Sequence, residues 1–462
     1  MPDKRSVNKT GHKKGAEIMT SKYTKAVDKY REMIIEAQNY IWTHAETGYR
    51  EYQTSKYLED AFESLGYDLV KAGDIPGFYT IIDTGRPGPE VLILGELDSL
   101  ICSEHPDANP ETGAVHCCGH SAQSAALLGI AAALKEPGIL DDLCGRIRLC
   151  AVPAEELIEV EFRSGLKAEG RIKYMGGKTE FLHRGYFDGV DLAFMVHTTS
   201  GDQFSVRLGS VGCMAKRVIY KGVSAHAGGS PWNGCNALYA TTLGLSAINS
   251  IRETFKEPDI IRVHPISTKG GGAVNAIPDE VIIESYVRGS NFDAIKAANK
   301  KVNRALCGAA LSLGANIDIQ DNPGYAPLNN CTDMMKLAKD ACEEIDLAPF
   351  VWNDTMGSGS TDMGDLSVVM PVVHPYAPGA IGTSHGSNYY IQNPDLACVG
   401  SAKWQLTMLS MLLSNDAARA KQIVADFKPQ FATKEEYLAY IDELCAKGDR
   451  ITYEDGKATV TL

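Results

Sequence analysis

The sequence lacks an excess of positive charge, and it lacks an apolar run long enough to cross a membrane. Its 462 residues contain 45 Lys and Arg against 58 Asp and Glu, which gives a formal net charge of −13 at pH 7. Nonspecific binding to nucleic acid needs a basic surface that displaces counterions from phosphate. A membrane-spanning helix needs about 20 consecutive apolar residues. We therefore expect neither nucleic acid nor a membrane as a partner.

A secretion signal is also missing, although cysteine is not scarce. The 12 cysteines stand at irregular spacing in a long chain, unlike the disulfide framework of a small secreted protein. We therefore interpret them as reduced thiols and predict a cytoplasmic protein.

The length and composition indicate a folded protein with more than one core. Apolar residues make up 44% of the chain and charged residues 22%, values that are typical of globular proteins. At 462 residues the chain exceeds the size at which a single core stops growing, so we predict two domains, one of them interrupted by the other. The first residues are polar and lysine-rich, and we predict a disordered arm over residues 1–22.

Four potential metal ligands are concentrated in the stretch His116-Cys117-Cys118-Gly119-His120. Thiolate and neutral imidazole are groups that bind zinc and similar ions. Only a glycine separates Cys118 from His120, and its backbone permits a sharp turn that would point both side chains at one ion. The alternative is that these cysteines are simply packed at the start of a helix, because cysteine is among the most buried residue types.

Three apolar runs lead into further candidate ligands. Residues 91–94 lead into Glu96 to Ser99, residues 146–152 into Glu155 and Glu156, and residues 191–196 into His197. Open α/β sheets bind their ligands outside the carboxyl ends of the strands. The sequence therefore predicts a metal site at one edge of a sheet.

The pattern changes after residue 205. From residue 206 it reads strand, helix, strand, strand, helix, strand, which is the ferredoxin-like order. We therefore predict an α/β protein whose metal-binding domain, residues 23–205 and 323–462, has a central mixed sheet flanked by helices. Residues 206–322 would form an inserted ferredoxin-like α+β domain.

An ordered set of motifs covers most of the chain. They are Gly95-Glu96-Leu97-Asp98-Ser99-Leu100, Cys118-Gly119-His120, Pro153-Ala154-Glu155-Glu156, His197, Ser224-Ala225-His226-Ala227, Gly272-Ala273-Val274-Asn275-Ala276-Ile277-Pro278 and Gly382-Thr383-Ser384-His385. In content and order this set resembles the M20 metallopeptidases, in particular their amidohydrolase branch. Gly359-Ser360-Thr361-Asp362 with Gly364-Asp365 is most similar to the aminobenzoyl-glutamate hydrolase subgroup.

The resemblance implies a site with two divalent metal ions, Zn²⁺ or Mn²⁺. Its ligands would be Cys118, His120, Glu156, His197 and His385. Two adjacent cations can together activate a water molecule and polarise a carbonyl group. By the same resemblance, Leu97 stands where many M20 peptidases have a histidine ligand, and His120 would substitute for it.

Further roles also follow from the resemblance. Glu155 would be the general base, and Asp98 would orient a ligand. His226 would reach the substrate of a partner subunit and stabilise the oxyanion, so the inserted domain would be a dimerisation or lid domain in a homodimer. Asn275 and Arg288 would bind the substrate backbone and its carboxylate.

The sequence leaves three hypotheses about the function and the substrate. The leading hypothesis is an amidohydrolase that cleaves an N-acyl or N-aroyl amino acid, similar to aminobenzoyl-glutamate. A dipeptidase or carboxypeptidase on the same scaffold is the close alternative, and a metal-binding or ligand-binding protein without catalysis is the third. Residues 159–173 look like an insertion at the rim of the sheet, so the substrates of the family do not transfer safely.

Overall fold

The computed structural model describes residues 22–347 and 349–462. Apart from Lys22, which is helical together with residues 23–28, the arm predicted for residues 1–22 lies outside the described residues.

The strands of the described chain are numbered in sequence order. They are β1 (Val70–Lys71), β2 (Phe78–Asp83), β3 (Glu90–Glu96), β4 (Leu100–Ile101), β5 (Ala114–Val115), β6 (Arg146–Val152), β7 (Leu192–Phe194), β8 (His197–Ser200), β9 (Phe204–Ser210), β10 (Gly212–Lys221), β11 (Arg262–Val263), β12 (Ile266–Lys269), β13 (Glu280–Gly289), β14 (Asn316–Tyr325), β15 (Leu328–Asn329), β16 (Phe350–Gly357), β17 (Val372–Val373), β18 (Tyr376–Ile381), β19 (Tyr390–Ile391), β20 (Ile451–Glu454) and β21 (Lys457–Val460).

The α-helices that follow residue 30 are numbered in the same way. They are α1 (Arg31–Thr43), α2 (Tyr52–Ser64), α3 (His120–Leu134), α4 (Val160–Ala168), α5 (Gly177–His183), α6 (Ala237–Ser250), α7 (Phe292–Ser312), α8 (Thr332–Ile345), α9 (Met363–Ser367), α10 (Ser401–Asp426) and α11 (Lys434–Glu443).

A mixed sheet forms the centre of the α/β fold, as predicted. In the described chain its order is β1-β2-β6-β3-β7-β17, with β2 antiparallel to β6 and the neighbouring pairs from β6 to β17 parallel. Every residue of β3 is buried, because a parallel strand between two helical layers needs apolar side chains on both faces. The carboxyl ends of β3 and β6 consequently meet at one edge, where the chain places Glu96 and Pro153.

Helix α3 packs against this sheet, and all of its residues are buried. Its alanines and glycine allow close contact with other elements. An added Cβ at Gly129 would lie 2.4 Å from the Ile34 side chain of α1, so a larger residue there would force that side chain to shift. His120 is the first residue of α3, and the core therefore holds the predicted ligand rigidly.

A second sheet is antiparallel and has the order β11-β13-β10-β14, with β12 also paired to β13. A third sheet contains β8, β9, β15, β16, β18 and β19. Strand β9 therefore pairs outside the second sheet, which extends from Gly212 to Tyr325. The domain boundaries at residues 206 and 322 stay a prediction.

The C-terminal segment after α11 joins the free side of β14. The N–H groups of Ile319 and Asp321 donate to the carbonyls of Gly448 (3.2 Å) and Ala446 (2.7 Å), and the N–H of Arg450 donates to Ile317 O (2.9 Å). Strands β20 and β21 follow as a hairpin.

The expectation that no apolar run reaches the length of a membrane span needs a correction. Within the described residues, one helical stretch, Asp395–Asp426, is long and apolar enough by length and composition, with a mean hydropathy of 1.2. However, 83% of its apolar window is buried inside the fold, and the backbone leaves helical geometry at residues 414–417. A buried core helix accounts for both observations.

Candidate functional site

Cys118 lies between two groups of potential metal ligands. Its Sγ is 3.4 Å from His197 Nε2 and 3.3 Å from His385 Nε2. One ligand atom from each of Cys118, His120 and His197 lies within 4.8 Å of the others, and the same holds for Cys118, Glu156 and His385. The structure thus brings together all five residues that the resemblance named as metal ligands, in two groups that share the thiol.

Local backbone geometry produces this convergence. Gly119 has φ = 100° immediately before α3, which is the sharp turn expected between Cys118 and His120. His385 also has a positive φ, 64°, and its N–H donates to Cys117 O (2.8 Å). His197 does not continue the strand that precedes it, as the sequence suggested, because β7 ends at Phe194 and His197 begins β8 of another sheet.

The donor set fits a zinc-like ion. Two nitrogen or sulfur atoms bound to one tetrahedral zinc lie roughly 3.4 to 3.6 Å apart, close to the two distances measured at Cys118 Sγ. Buried Glu156 Oε1 and His120 Nε2 make no well-aligned hydrogen bond among the described residues, although His385 Nε2 (3.3 Å) and Glu96 Oε2 (3.1 Å) lie close to them. Buried polar atoms are normally hydrogen-bonded, so these two atoms, beside a thiol and imidazoles, are suited to bind a metal.

Glu155 and Glu156 reach different parts of the cluster. Glu155 Oε2 lies 3.9 Å from His120 Nε2, whereas Glu156 Oε1 lies 3.3 Å from His385 Nε2. Strand alternation is not the cause, contrary to the expectation from sequence, because β6 ends at Val152. The chain instead turns at Ala154, whose φ is 59°, and this turn directs the two carboxylates apart.

The strained turn is held by buried charged side chains. Glu51 accepts a hydrogen bond from the N–H of Ala154 (2.8 Å). Arg163 is fully buried and donates to the carbonyls of Glu156, Met175 and Ala154. Arg163 belongs to α4, which lies in the predicted insertion, residues 159–173. The insertion therefore supports the backbone on both sides of Glu155.

The electrostatic environment separates the two glutamates. Burial raises the pKa of Glu155 well above its usual value, and the carboxylates of Glu96 and Glu156 add to the increase. Burial also opposes ionisation of Glu156, but His385 reverses this and lowers its pKa. Glu156 is thus an ionised ligand candidate, whereas Glu155 is a carboxyl group adapted to gain and lose a proton.

The Cys118 thiol ionises readily. Burial and Glu156 oppose its ionisation, yet His120 and His197 lower its pKa to about 6. The neighbouring Cys117 behaves oppositely, because burial raises its pKa to about 12. Since the thiolate is the form that binds metal, Cys118 is the better ligand of the two.

Asp98 contacts two of the ligand candidates. Its Oδ2 accepts a hydrogen bond from the N–H of Glu156 (2.7 Å). Its Oδ1 is 3.2 Å from His120 Nδ1, and its carbonyl oxygen is 2.9 Å from the same nitrogen. Contacts of this kind fix the ring orientation of a ligand and leave Nε2 directed at the metal.

Sequence reasoning missed a buried charge cluster beside His120. Glu96 Oε2 lies 3.1 Å from His120 Nε2, and Glu96 Oε1 accepts from Lys178 Nζ (2.5 Å). Lys178 also donates to Asp362, and all three side chains are completely buried. Leu97, which the resemblance placed at a ligand position, packs in the hydrophobic core. Period-two alternation along the strand end, which puts Glu96 and Asp98 on the same side, was the available signal.

The remaining predicted residues fall in two places. A cavity of about 290 Å³ is lined by Cys118, Glu155, Glu156, His197, His385 and Arg288. His226 and Asn275 are exposed and do not line this cavity. They lie next to each other, because the N–H of Ala227 donates to Asn275 O (2.9 Å). Within one chain the structure therefore brings Arg288, but neither His226 nor Asn275, to the candidate site.

The sequence of this chain is similar to those of known proteins. The model for Peptidase family M20/M25/M40 matches residues 92–408. The Xaa-Arg dipeptidase of Mus musculus is 27% identical over 376 residues, which cover 78% of this chain and 80% of that protein. One of the p-aminobenzoyl-glutamate hydrolase subunits of Escherichia coli (strain K12) is 24% identical over 424 residues, which cover 78% of this chain and 83% of that protein.

The fold is also similar to that of solved structures. A dinuclear metal binding peptidase of the M20 family from Bacillus subtilis superposes with a TM-score of 0.61 at 18% sequence identity. The match covers 84% of this chain and 99% of that chain.

Proposed function

Because this chain belongs to peptidase family M20/M25/M40, it is a hydrolase, and we propose that it cleaves the amide bond of an N-acyl or N-aroyl amino acid. The membership confirms the resemblance inferred from the ordered motifs. The observation that carries the proposal is the pair of three-ligand groups that share Cys118, with the buried carboxyl group of Glu155 beside them.

Two divalent ions, Zn²⁺ or Mn²⁺, would be held by these residues, and when bound they would polarise the amide carbonyl and activate water. One ion would be held by Cys118, His120 and His197, and the other by Cys118, Glu156 and His385. The ionised Cys118 and Glu156 suit this role, because thiolate and carboxylate offset the charge of the cations.

Glu155 is the proposed general base. It takes a proton from the attacking water while the new C–O bond forms, and it passes that proton to the leaving nitrogen as the C–N bond breaks. Its raised pKa supports this assignment, since a general base works best when its pKa is close to the operating pH.

His226 and Asn275 support a homodimer, in which the inserted domain of one subunit would reach the cavity of the other. His226 Nδ1 accepts hydrogen bonds from the N–H groups of Gly228 (3.1 Å) and Gly229 (2.9 Å). The ring proton is then on Nε2, which is available as a donor to a developing oxyanion. The strand order of the second sheet, β11-β13-β10-β14, supports a ferredoxin-like insertion. Tyr239 and Leu243 expose an apolar face on α6, which a second subunit could cover.

A dipeptidase is the second candidate, because the Xaa-Arg dipeptidase of Mus musculus is similar to this chain over most of its length. The two functions differ on the acyl side of the bond, where a dipeptide has a free amine that an N-acyl compound lacks. A panel of N-acetyl and N-benzoyl amino acids together with dipeptides, assayed with added zinc or manganese, separates them.

The test of the mechanism compares Glu155→Gln with Glu156→Gln. We expect Glu155→Gln to retain its metal, measured by elemental analysis, while turnover falls roughly 10²-fold or more, because glutamine cannot accept the proton. Glu156→Gln and Cys118→Ala should instead lower metal content, and excess metal should partly restore the activity of Glu156→Gln. Normal hydrolysis by metal-loaded Glu155→Gln would exclude the base role, and a wild-type protein that binds metal but cleaves no amide would favour a non-catalytic binding protein.

A further inference from the structure

An arginine with no assigned role lines the candidate cavity. Arg207 of β9 is half-buried and shares this cavity with Cys118, Glu155 and Glu156. No ion pair and no side-chain hydrogen bond of Arg207 occurs within residues 22–347 and 349–462. A partly desolvated cation is stabilised by a neighbouring anion. A guanidinium that lines the cavity of the candidate metal ligands, with an aromatic ring beside it but no anion paired with it, therefore indicates that a ligand supplies the anion.

The position of Arg207 relative to the metal ligands follows from two contacts between neighbouring groups. The Arg207 Cζ atom lies 5.4 Å from the centroid of the Tyr376 ring, and the Tyr376 and His197 ring centroids are 5.8 Å apart. Arg207 and His197, one of the candidate metal ligands, thus both lie next to the Tyr376 ring.

Arg288 lies on another side of the same cavity. Its Cζ atom is 5.5 Å from the Tyr286 ring centroid, and the hydroxyl of Tyr286 donates to the carbonyl of Leu157, next to Glu156. The buried Nε of Arg288 has no hydrogen-bond partner among the described residues. The cavity consequently presents two separate guanidinium groups, each able to form two parallel hydrogen bonds with a carboxylate.

The surroundings of Arg207 also suit an anion. Ser210 is 5% exposed and lines the cavity, and its buried hydroxyl has no partner in the described part of the chain. An added Cβ at Gly357 would lie 2.8 Å from a terminal nitrogen of Arg207, so glycine leaves room for the guanidinium.

We infer that Arg207 binds a second carboxylate of the substrate, so that the amino acid released is dicarboxylic, namely glutamate or aspartate. The inference rests on the proposed amide hydrolysis and refines it. Arg288 takes the α-carboxylate, Arg207 with Ser210 takes the side-chain carboxylate, and the acyl group lies beyond the metal site. A basic side chain is repelled at this position, which argues against an arginine-releasing dipeptidase.

The test compares N-benzoyl-glutamate with N-benzoyl-glutamine, which have nearly the same shape but differ in one charge. For the metal-loaded wild-type protein we expect kcat/KM to be about 10-fold to 100-fold higher for the glutamate compound, as for a charge-assisted hydrogen-bonded pair. Arg207→Gln should reduce this ratio to about 1, and Arg207→Lys should restore part of it, because lysine retains the charge without the planar fork. Arg217→Gln, which removes an arginine outside the cavity, is the matched control and should keep the wild-type ratio.

Calorimetric titration with free glutamate and free glutamine gives a second readout that does not require turnover. We expect the wild-type protein to bind glutamate at least tenfold more tightly than glutamine, and Arg207→Gln to lose the difference. If no amide is cleaved but this preference is present and depends on Arg207, the proposed hydrolysis fails and the carboxylate site stands. Equal affinities in the wild-type protein, or a glutamate preference that survives Arg207→Gln, would overturn the inference. Circular dichroism of each variant identifies any that fails to fold.

Discussion

Replacement of Lys178 by methionine tests the buried charge cluster beside His120. The Lys178 ammonium is completely buried and lies 2.5 Å from Glu96 Oε1, with Asp362 as its second partner. At this distance and an effective dielectric constant near 20, each contact contributes about 7 kcal/mol of Coulomb attraction, most of which the desolvation of the three groups offsets. Removing one member of a buried ion pair costs about 3 to 5 kcal/mol, because its partner stays buried without compensation.

Such a loss is large against a total stability of about 5 to 15 kcal/mol. We expect Lys178→Met to lower the free energy of unfolding by about 3 to 5 kcal/mol, measured by urea titration with circular dichroism in one metal-containing buffer. The triple variant Lys178→Met/Glu96→Gln/Asp362→Asn removes every charge of the cluster and should recover most of the loss. If Lys178→Met is within about 1 kcal/mol of the wild-type protein, the cluster is not held together by the lysine charge and our reasoning is wrong.

Two further predictions concern Asp365 and the dimer. Burial, with a smaller contribution from Asp362, raises the pKa of Asp365 from 3.8 to about 8. Between pH 3.8 and pH 8 the unfolded chain has released this proton while the folded chain keeps it. The free energy of unfolding therefore falls as the pH rises. Asp365→Asn should remove this loss of stability, so the melting temperature of the variant minus that of the wild-type protein should increase from pH 5 to pH 8. A difference in melting temperature that does not change with pH would contradict the raised pKa of Asp365. The double variant Tyr239→Glu/Leu243→Glu places charges on the exposed face of α6. We expect sedimentation velocity to show a dimer for the wild-type protein and a monomer for the variant, and we expect the variant to be inactive. A fully active wild-type monomer would exclude a His226 supplied by the partner.

The sequence predicted best those features that depend on the residue types and spacing within one short segment. The apolar runs predicted β6 at residues 146–152, and the structure has the strand at Arg146–Val152. The turn at Gly119 and the convergence of Cys118 with His120 also follow from residue type and spacing. These features depend on contacts between residues that are close in sequence.

Interactions between distant segments could not be predicted in this way. Glu96 and Lys178 are separated by 82 residues, and nothing in either local sequence marks the pair. That residues 159–173 are an insertion stays a prediction, and their sequence did not indicate that Arg163 would support the turn at Ala154. The dimer, the identity of the metal and the cytoplasmic location stay predictions.

The attachment of the C-terminal segment to β14 restricts how the chain can associate. An unpaired edge strand exposes N–H and C=O groups that another chain can extend into a continuous sheet. Residues 446–450 occupy that edge of the second sheet through hydrogen bonds to Ile317, Ile319 and Asp321, so strand addition by a partner is left to the opposite side, at β11 and β12. A chain that ended before Ala446 would leave the backbone groups of Ile317, Ile319 and Asp321 on this edge without these hydrogen bonds, and that edge of β14 would then be open to pairing with another strand.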